Sequence, residues 1–177
     1  MRKLAKAYNI AVLTVTAAAL LFVGAFTVPR LFGVYPFVVQ SSSMEPAIPT
    51  GSVVFVNTKD SDMEAGDVVT FGLSAGEGKG KGVYVTHRIY RIFEEEDLIQ
   101  TKGDANNAPD GYLEKGAVLG KAFLRVPRIG FLLDYLQKRH GYIILAVLVC
   151  GLNVSSMFIL KASKGQHSGD ARKKNKK

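Results

Sequence analysis

Two long runs of uncharged residues lie near the two ends of the chain, at residues 9–28 and 142–160. At about 1.5 Å per residue, roughly 20 helical residues span about 30 Å, which is the thickness of a bilayer's hydrocarbon core. A cleavable signal peptide is the alternative for the first run, but its apolar stretch exceeds the roughly 7–15 residues usual in such peptides. A buried helix of a soluble domain is the alternative for the second run. We favour two retained transmembrane helices.

The region between these runs has a different pattern, in which short apolar, β-branched runs alternate with turn residues. Such spacing is typical of antiparallel strands. The predicted strands lie at residues 52–56, 68–71, 83–92, 98–101 and 118–126. The Gly- and Lys-rich segment 72–82 is predicted to be a flexible hairpin loop. The chain is therefore expected to be mainly β, with a compact antiparallel domain flanked by N- and C-terminal transmembrane helices.

The charge of the chain lies mainly in its two tails. Its formal net charge is +8, yet residues 29–141 contain 14 acidic and 13 basic side chains. A nucleic-acid-binding domain carries a basic face on its folded part, so the near-neutral middle argues against a nucleic-acid partner. The single cysteine, Cys150, excludes an intramolecular disulfide.

Basic residues flank the outer ends of both apolar runs, and the positive-inside rule places such ends in the cytoplasm. Lys138 and Arg139 oppose this orientation but are outnumbered. The predicted organisation is a cytoplasmic basic segment, a transmembrane helix, an extracytoplasmic β-rich domain, a second transmembrane helix and a disordered cytoplasmic basic tail. The boundaries of these parts are residues 1–8, 9–28, 29–141, 142–160 and 161–177.

Three short stretches contain residues that could perform acid–base or nucleophilic chemistry, at 41–48, 86–89 and 102–110. A serine hydroxyl needs a base within hydrogen-bond reach, and a histidine suits this role because it exchanges protons near neutral pH. His87 is a better candidate than His140, which follows Lys138 and Arg139. By residue type alone the evidence is weak, because serines are common in loops and Asp104 and Asp110 could be turn residues.

The order of these stretches resembles that of the type I signal peptidases. Ser41-Ser42-Ser43-Met44-Glu45-Pro46 resembles their nucleophile box, and His87-Arg88-Ile89 resembles their general-base box. The sequence Gly103-Asp104-Ala105-Asn106-Asn107, followed by Asp110, is similar to their last box. Since a histidine occupies the base position where common bacterial enzymes have lysine, the chain resembles the archaeal, endoplasmic-reticulum and sporulating-Gram-positive branch.

The resemblance implies a role for each matching residue. Ser43 is expected to be the nucleophile and His87 its base, with Asp110 as the partner of His87 and Asp104 supporting the site. The Ser43 N–H and the Ser41 hydroxyl are expected to bind the oxyanion. Ser42 stands where the family usually has glycine, and Met44 is expected to shape the turn.

The resemblance also implies a membrane-bound serine endopeptidase that removes signal peptides from secreted preproteins through an acyl-enzyme, without metal or cofactor. The apolar stretch 31–39 could line substrate pockets or rest on lipid. Expected partners are preproteins, membrane lipid and possible accessory subunits. Alternatives are an inactive membrane scaffold, an envelope-binding module, and a Ser–Lys protease that uses Lys102 or Lys121 as its base.

Overall fold

A computed structural model describes residues 2–73 and 83–174, with side chains except at residues 2, 137, 139, 140 and 163–174. Most of the predicted 72–82 loop lies outside the described residues. The chain divides into two compact units. One combines residues 1–25 with 136–177, and the other comprises residues 26–135.

The first unit contains two long helices, α1 (Arg2–Thr27) and α3 (Arg139–Lys174). Segments Lys3–Phe32 and Gly141–Ala162 are long and apolar enough to cross a membrane. The predicted pair of terminal apolar helices is thereby confirmed. Helix α3 also continues through most of the 161–177 segment that was expected to be disordered, where lysine, alanine and arginine, all good helix formers, are frequent.

Polar side chains join the two helices within this unit. The hydroxyls of Tyr8 and Ser155 lie 2.8 Å apart. Ser156 donates to Asn9 Oδ1 at 2.8 Å, and Asn153 donates to a threonine hydroxyl on α1 at 2.9 Å. Such interhelical hydrogen bonds stabilise helix pairs in an apolar environment. The polar residues of the second apolar run therefore face the first helix.

The second unit is built on a seven-stranded sheet in which every pairing is antiparallel. The strands are β1 (Val34–Val38), β2 (Val53–Asn57), β3 (Val68–Leu73), β4 (Val83–Phe93), β5 (Leu98–Lys102), β6 (Tyr112–Glu114) and β7 (Val118–Val126). Their order across the sheet is β1-β2-β7-β3-β4-β5-β6. The mainly β prediction is confirmed and all five predicted strands form, while β1 and β6 were not predicted.

Shorter helices lie before β1, between β6 and β7, and after β7. Turns of 3₁₀ helix cover Val28–Phe32 and Lys115–Ala117, and helix α2 spans Gly130–Gln137. The first residue of α2 donates its N–H to the Gly51 carbonyl at 2.8 Å, and Leu133 is 1% exposed. Gly51 has φ +79°, and a Cβ at this position would collide with the Phe131 ring. The positive φ and this contact together favour glycine at position 51 of the β1–β2 loop.

Two apolar clusters form the core of the sheet. One packs the β1–β2 loop onto β2, through Val39, Met44, Ile48, Val54 and Val56. The other joins β3, β4 and β5 through Val69, Phe71, Ile89 and Ile99. The loop and the centre of β4 are thus both held by buried side chains, and these are the two segments that carry Ser43 and His87.

Candidate active site

Ser43 lies in the loop between β1 and β2, where the backbone turns sharply. The next residue, Met44, is fully buried in the first apolar cluster. Glu45 donates its N–H to the Ser42 carbonyl at 3.0 Å, and Ile48 donates to the Met44 carbonyl at 2.7 Å. The Glu45–Pro46 peptide bond is cis. A buried side chain directly after a partly exposed serine fixes the position of the serine while leaving its hydroxyl accessible.

His87 lies on β4, paired with Val69 of β3, and is only 8% exposed. Its Nε2 atom lies 3.0 Å from Ser43 Oγ. The Phe71 ring packs against the imidazole at an interplanar angle of 70°, with centroids 6.3 Å apart. The imidazole is thus held by a strand and an aromatic neighbour, within hydrogen-bond reach of the serine predicted to be the nucleophile.

Asp110 lies beside the other ring nitrogen. Its Oδ2 atom is 2.6 Å from His87 Nδ1. An ionised carboxylate only accepts hydrogen bonds, so this contact favours a proton on Nδ1. Nε2 is then free to accept the Ser43 hydroxyl hydrogen. Ser43, His87 and Asp110 are therefore arranged in the order and polarity of a serine protease triad.

Asp104, which was expected to support the site, contacts Arg88 instead of His87. The Arg88 Nε and Nη2 atoms donate to Oδ1 and Oδ2 of Asp104 at 2.9 and 2.8 Å. A third Arg88 donor reaches the Gly66 carbonyl at 2.7 Å. The hydrogen bond to Asp104 raises the pKa of Arg88, despite partial burial that acts to lower it. The pair joins β4 to the loop after β5.

That loop passes directly beneath the Ser43 backbone. Ala105 donates its N–H to the Ser43 carbonyl at 2.9 Å, and Asn106 donates to the Gly103 carbonyl at the same distance. A Cβ built on Gly103 would lie 2.6 Å from Ser43 O. Only glycine at position 103 therefore leaves room for the backbone of Ser43.

Donors for an oxyanion lie around Ser43. The hydroxyl of Ser41 is 3.0 Å from Ser43 Oγ. Among the described residues, no acceptor takes up the Ser43 N–H. Ser42 occupies the position of the family glycine without strain, since the described non-glycine residues with positive φ are Asp97 and Arg128.

The two lysines considered as alternative bases have other surroundings. The Lys121 ammonium lies 2.8 Å from Asp67 Oδ2. The hydrogen bond to Asp67 raises the pKa of Lys121. Burial acts to raise the pKa of Asp67. It is outweighed by the hydrogen bonds that Asp67 accepts from Lys121 and from the Glu64 N–H, together with the positive charge of Lys121, so the pKa of Asp67 is lowered. Lys102 lies on β5 directly opposite Arg88 of β4 in the strand register. The two residues line a cavity of about 200 Å³.

Several residues that build the site were not predicted. Thr101 and Gln100 hold Asp110, Arg88 holds Asp104, and Gly103 makes room for Ser43. Their roles depend on strand register, which the residue types do not reveal. No group of three or more His, Cys, Asp or Glu side chains in the described part of the chain could hold a metal ion.

Comparison with known proteins identifies the family. Residues 9–93 match the family described as signal peptidase, peptidase S26. This segment contains Ser43 and His87 but ends before Asp104 and Asp110.

Three relatives are signal peptidase complex catalytic subunits. The chain is 33% identical to sec11 of Dictyostelium discoideum over 128 residues, covering 63% of this chain and 69% of the relative. It is 31% identical to SEC11 of Scheffersomyces stipitis over 140 residues, covering 73% and 78%. It is 30% identical to human SEC11C over 125 residues, covering 63% and 62%. The predicted resemblance is confirmed: the chain belongs to the signal peptidase family of hydrolases, peptidase S26.

Proposed function

We propose that this chain is a membrane-bound serine endopeptidase that cleaves N-terminal signal peptides from secreted preproteins, with Ser43 as nucleophile, His87 as general base and Asp110 as its partner. The observation that carries the proposal is the continuous line of contacts from Ser43 Oγ to His87 Nε2 at 3.0 Å and from His87 Nδ1 to Asp110 Oδ2 at 2.6 Å. A serine with a histidine base and a buried or half-buried carboxylate is an activated nucleophile.

The chemistry proceeds in two halves. His87 Nε2 takes the Ser43 proton while Oγ attacks the scissile carbonyl, and the resulting imidazolium gives that proton to the leaving amine. The signal peptide is left as an ester on Ser43. A water molecule then attacks the ester, His87 takes a proton from the water, and the proton returns to Ser43 Oγ as the signal peptide leaves. Asp110 keeps Nδ1 protonated throughout and stabilises the imidazolium.

The tetrahedral intermediates place negative charge on the former carbonyl oxygen. The Ser43 N–H and the Ser41 hydroxyl, 3.0 Å from Ser43 Oγ, are the donors available to that oxygen. This assignment gives Ser41 a role in the reaction that is separate from nucleophilic attack. Met44 keeps both donors in place because its buried side chain fixes the turn.

The cleavage segment of the preprotein is expected to bind in extended form, with main-chain hydrogen bonds to a sheet edge. Both termini of the enzyme lie in the cytoplasm and the catalytic domain lies on the extracytoplasmic face. Anchoring enzyme and preprotein in one membrane raises their effective concentration. Because the relatives are catalytic subunits of a complex, accessory subunits are further partners to test.

The test is cleavage of a preprotein by the full chain reconstituted in lipid vesicles, followed by N-terminal sequencing of the product. The wild type and Ser61→Ala, which removes an exposed serine between β2 and β3, should release the mature protein. Ser43→Ala should remove cleavage while retaining the melting temperature of the wild type. Cleavage by Ser43→Ala would contradict the nucleophile assignment, and a wild type that binds the preprotein without producing a new N-terminus would contradict the proposed activity.

A further inference from the structure

Thr101 is a buried residue whose hydroxyl points at the triad. It is the fourth residue of β5 and is 1% exposed. Its Oγ1 atom donates to Asp110 Oδ2 at 2.7 Å. Asp110 Oδ2 is also the atom that faces His87 Nδ1. One carboxylate oxygen therefore receives two hydrogen bonds, one from the His87 imidazole and one from a buried side chain outside the proposed triad.

The position of Thr101 follows from the register of the sheet. It lies opposite Ile89 on β4, and His87, two residues earlier, faces the same side as Ile89. The chain then leaves β5, passes beneath Ser43 and returns so that the Asp110 N–H donates to the Thr101 carbonyl at 2.8 Å. Thr101 thus meets Asp110 through both its main chain and its side chain.

We propose that Thr101 is a positioning residue for the triad, whose hydroxyl fixes the carboxylate of Asp110 in the orientation that His87 needs. The inference rests on the proposed serine protease function and adds to the triad a side chain that orients its carboxylate.

The contacts of Asp110 separate this role from general support of the loop. The Asp110 backbone is held by the Thr101 carbonyl and by Gln100 Nε2, which donates to the Asp110 carbonyl at 3.1 Å. Neither bond restrains the carboxylate group. Among the described residues, the hydrogen bonds to the carboxylate come from His87 and Thr101, so Thr101 supplies one of the two that oppose its rotation. Networks of this kind orient a catalytic group at a distance from the reacting atoms.

The hydroxyl also affects the charge on the carboxylate. A donor on Oδ2 changes how strongly the carboxylate attracts the proton between it and His87 Nδ1. Loss of the Thr101 hydroxyl should therefore displace the acidic limb of the kcat/KM profile, whereas loosening of the loop that leaves the Asp110 carboxylate in place should not.

The experiment compares Thr101→Val, Thr101→Ser and Thr70→Val in full-length protein in lipid vesicles, with a preprotein substrate. Valine keeps the β-branched shape and removes the hydroxyl, and serine retains the hydroxyl. Thr70 is the matched control, because it is also buried in the sheet and its hydroxyl bonds Thr86 at 2.8 Å. Thr101→Val should lower kcat about tenfold, equivalent to about 1.4 kcal/mol, with KM unchanged. Thr101→Ser should restore most of the rate, and Thr70→Val should keep it.

Each outcome decides the proposal. A Thr101→Val enzyme with the rate and pH profile of the wild type would overturn it, as would a loss of rate that Thr101→Ser does not restore. If Thr101→Val fails to fold, Thr101→Cys against Thr101→Ser gives the same contrast, because a thiol is a weak donor. The Ser43→Ala variant separates this result from the proposed function. If Ser43→Ala still cleaves the preprotein, the proposed serine protease function is wrong. If Ser43→Ala is inactive and Thr101→Val retains the wild-type rate and pH profile, only the role of Thr101 is wrong.

Discussion

Gly103 provides a steric test of how closely the loop after β5 must approach Ser43, the proposed nucleophile. In Gly103→Ala the added Cβ would lie 2.6 Å from the Ser43 carbonyl oxygen and 2.8 Å from Asn106 Nδ2. Close carbon–oxygen contacts in proteins are about 3.3 Å, so the Ser43 contact is about 0.7 Å too short. Because Gly103 does not have a positive φ, alanine can adopt its backbone conformation and the change is purely one of space.

The displacement should reach the catalytic hydrogen bond. The Ser43 carbonyl accepts the Ala105 N–H at 2.9 Å. To make room for the added Cβ, the loop and the Ser43 backbone must move apart, which strains this hydrogen bond and shifts Ser43. Met44 is fully buried and resists movement of the turn towards the core. A misplacement of about 1 Å in a catalytic group can cost about a hundredfold in rate. We therefore expect kcat for preprotein cleavage to fall roughly 10- to 100-fold in Gly103→Ala.

The assay is steady-state cleavage in lipid vesicles, with the melting temperature measured on the same samples. Gly111→Ala is the matched control, because it lies beyond the same loop and a Cβ there meets nothing within 4 Å. That variant should retain the rate of the wild type. If Gly103→Ala also retained the wild-type rate with a normal melting temperature, the loop would not be in contact with the Ser43 backbone as described.

Two further predictions concern the ion pairs around the site. Asp104→Asn should lower the free energy of unfolding by about 1 kcal/mol, a value reduced by solvent screening since the Arg88 side chain is 38% exposed. It should lower kcat less than Asp110→Asn does, and urea unfolding and preprotein cleavage measure the two effects. An equal or greater loss of kcat in Asp104→Asn would mean that Asp104 acts directly in the reaction. The pKa of Asp67 is lowered in the folded state, so its contribution to stability is complete above the ordinary value of 3.8 and is lost as pH falls through the lowered value. The melting temperature of Asp67→Asn should therefore be lower than that of the wild type at pH 6, and the difference should disappear at strongly acidic pH. A difference in melting temperature that persisted in acid would exclude ionisation of Asp67 as its cause.

The strands of the catalytic domain were predictable to the extent that they show β-branched runs bounded by turns. β2 and β3 have this pattern over most of their length. β1 was missed because Pro36 interrupts its apolar run, and proline normally argues against a strand. The structure shows that β1 is an edge strand, where a missing N–H is tolerated. β6 is three residues long and too short to give a periodic signal.

The sequence indicated which segments form the site, but not the contacts between their side chains. The resemblance of the three stretches to the signal peptidase boxes implied roles for Ser43 and His87, and it assigned Asp110 to His87 and a supporting role to Asp104, but the residue types do not reveal what Asp104 contacts. The register of β4 against β5 decides this. Arg88 pairs with Lys102 and lies on the face opposite His87, and Asp104, two residues after Lys102, meets Arg88 there. Asp110 returns beside Thr101, on the face of His87.

The two carboxylates therefore lie on opposite faces of β4 and hold different neighbours of Ser43, the proposed nucleophile. Asp110 orients the base, and Asp104, through Arg88, holds the loop whose Ala105 N–H supports the Ser43 carbonyl. In the described part of the chain, the side chains that hydrogen-bond to the side chains of Ser43, His87 or Asp110, and the ring that packs on His87, belong to residues 41–110, within one compact unit. The geometry of the proposed triad is thus set within this unit, while in the proposed function the two apolar helices anchor the enzyme in the membrane that also holds its substrate. Substitutions in those helices should consequently change the cleavage of membrane-embedded preproteins more than that of a short soluble peptide containing the same cleavage site.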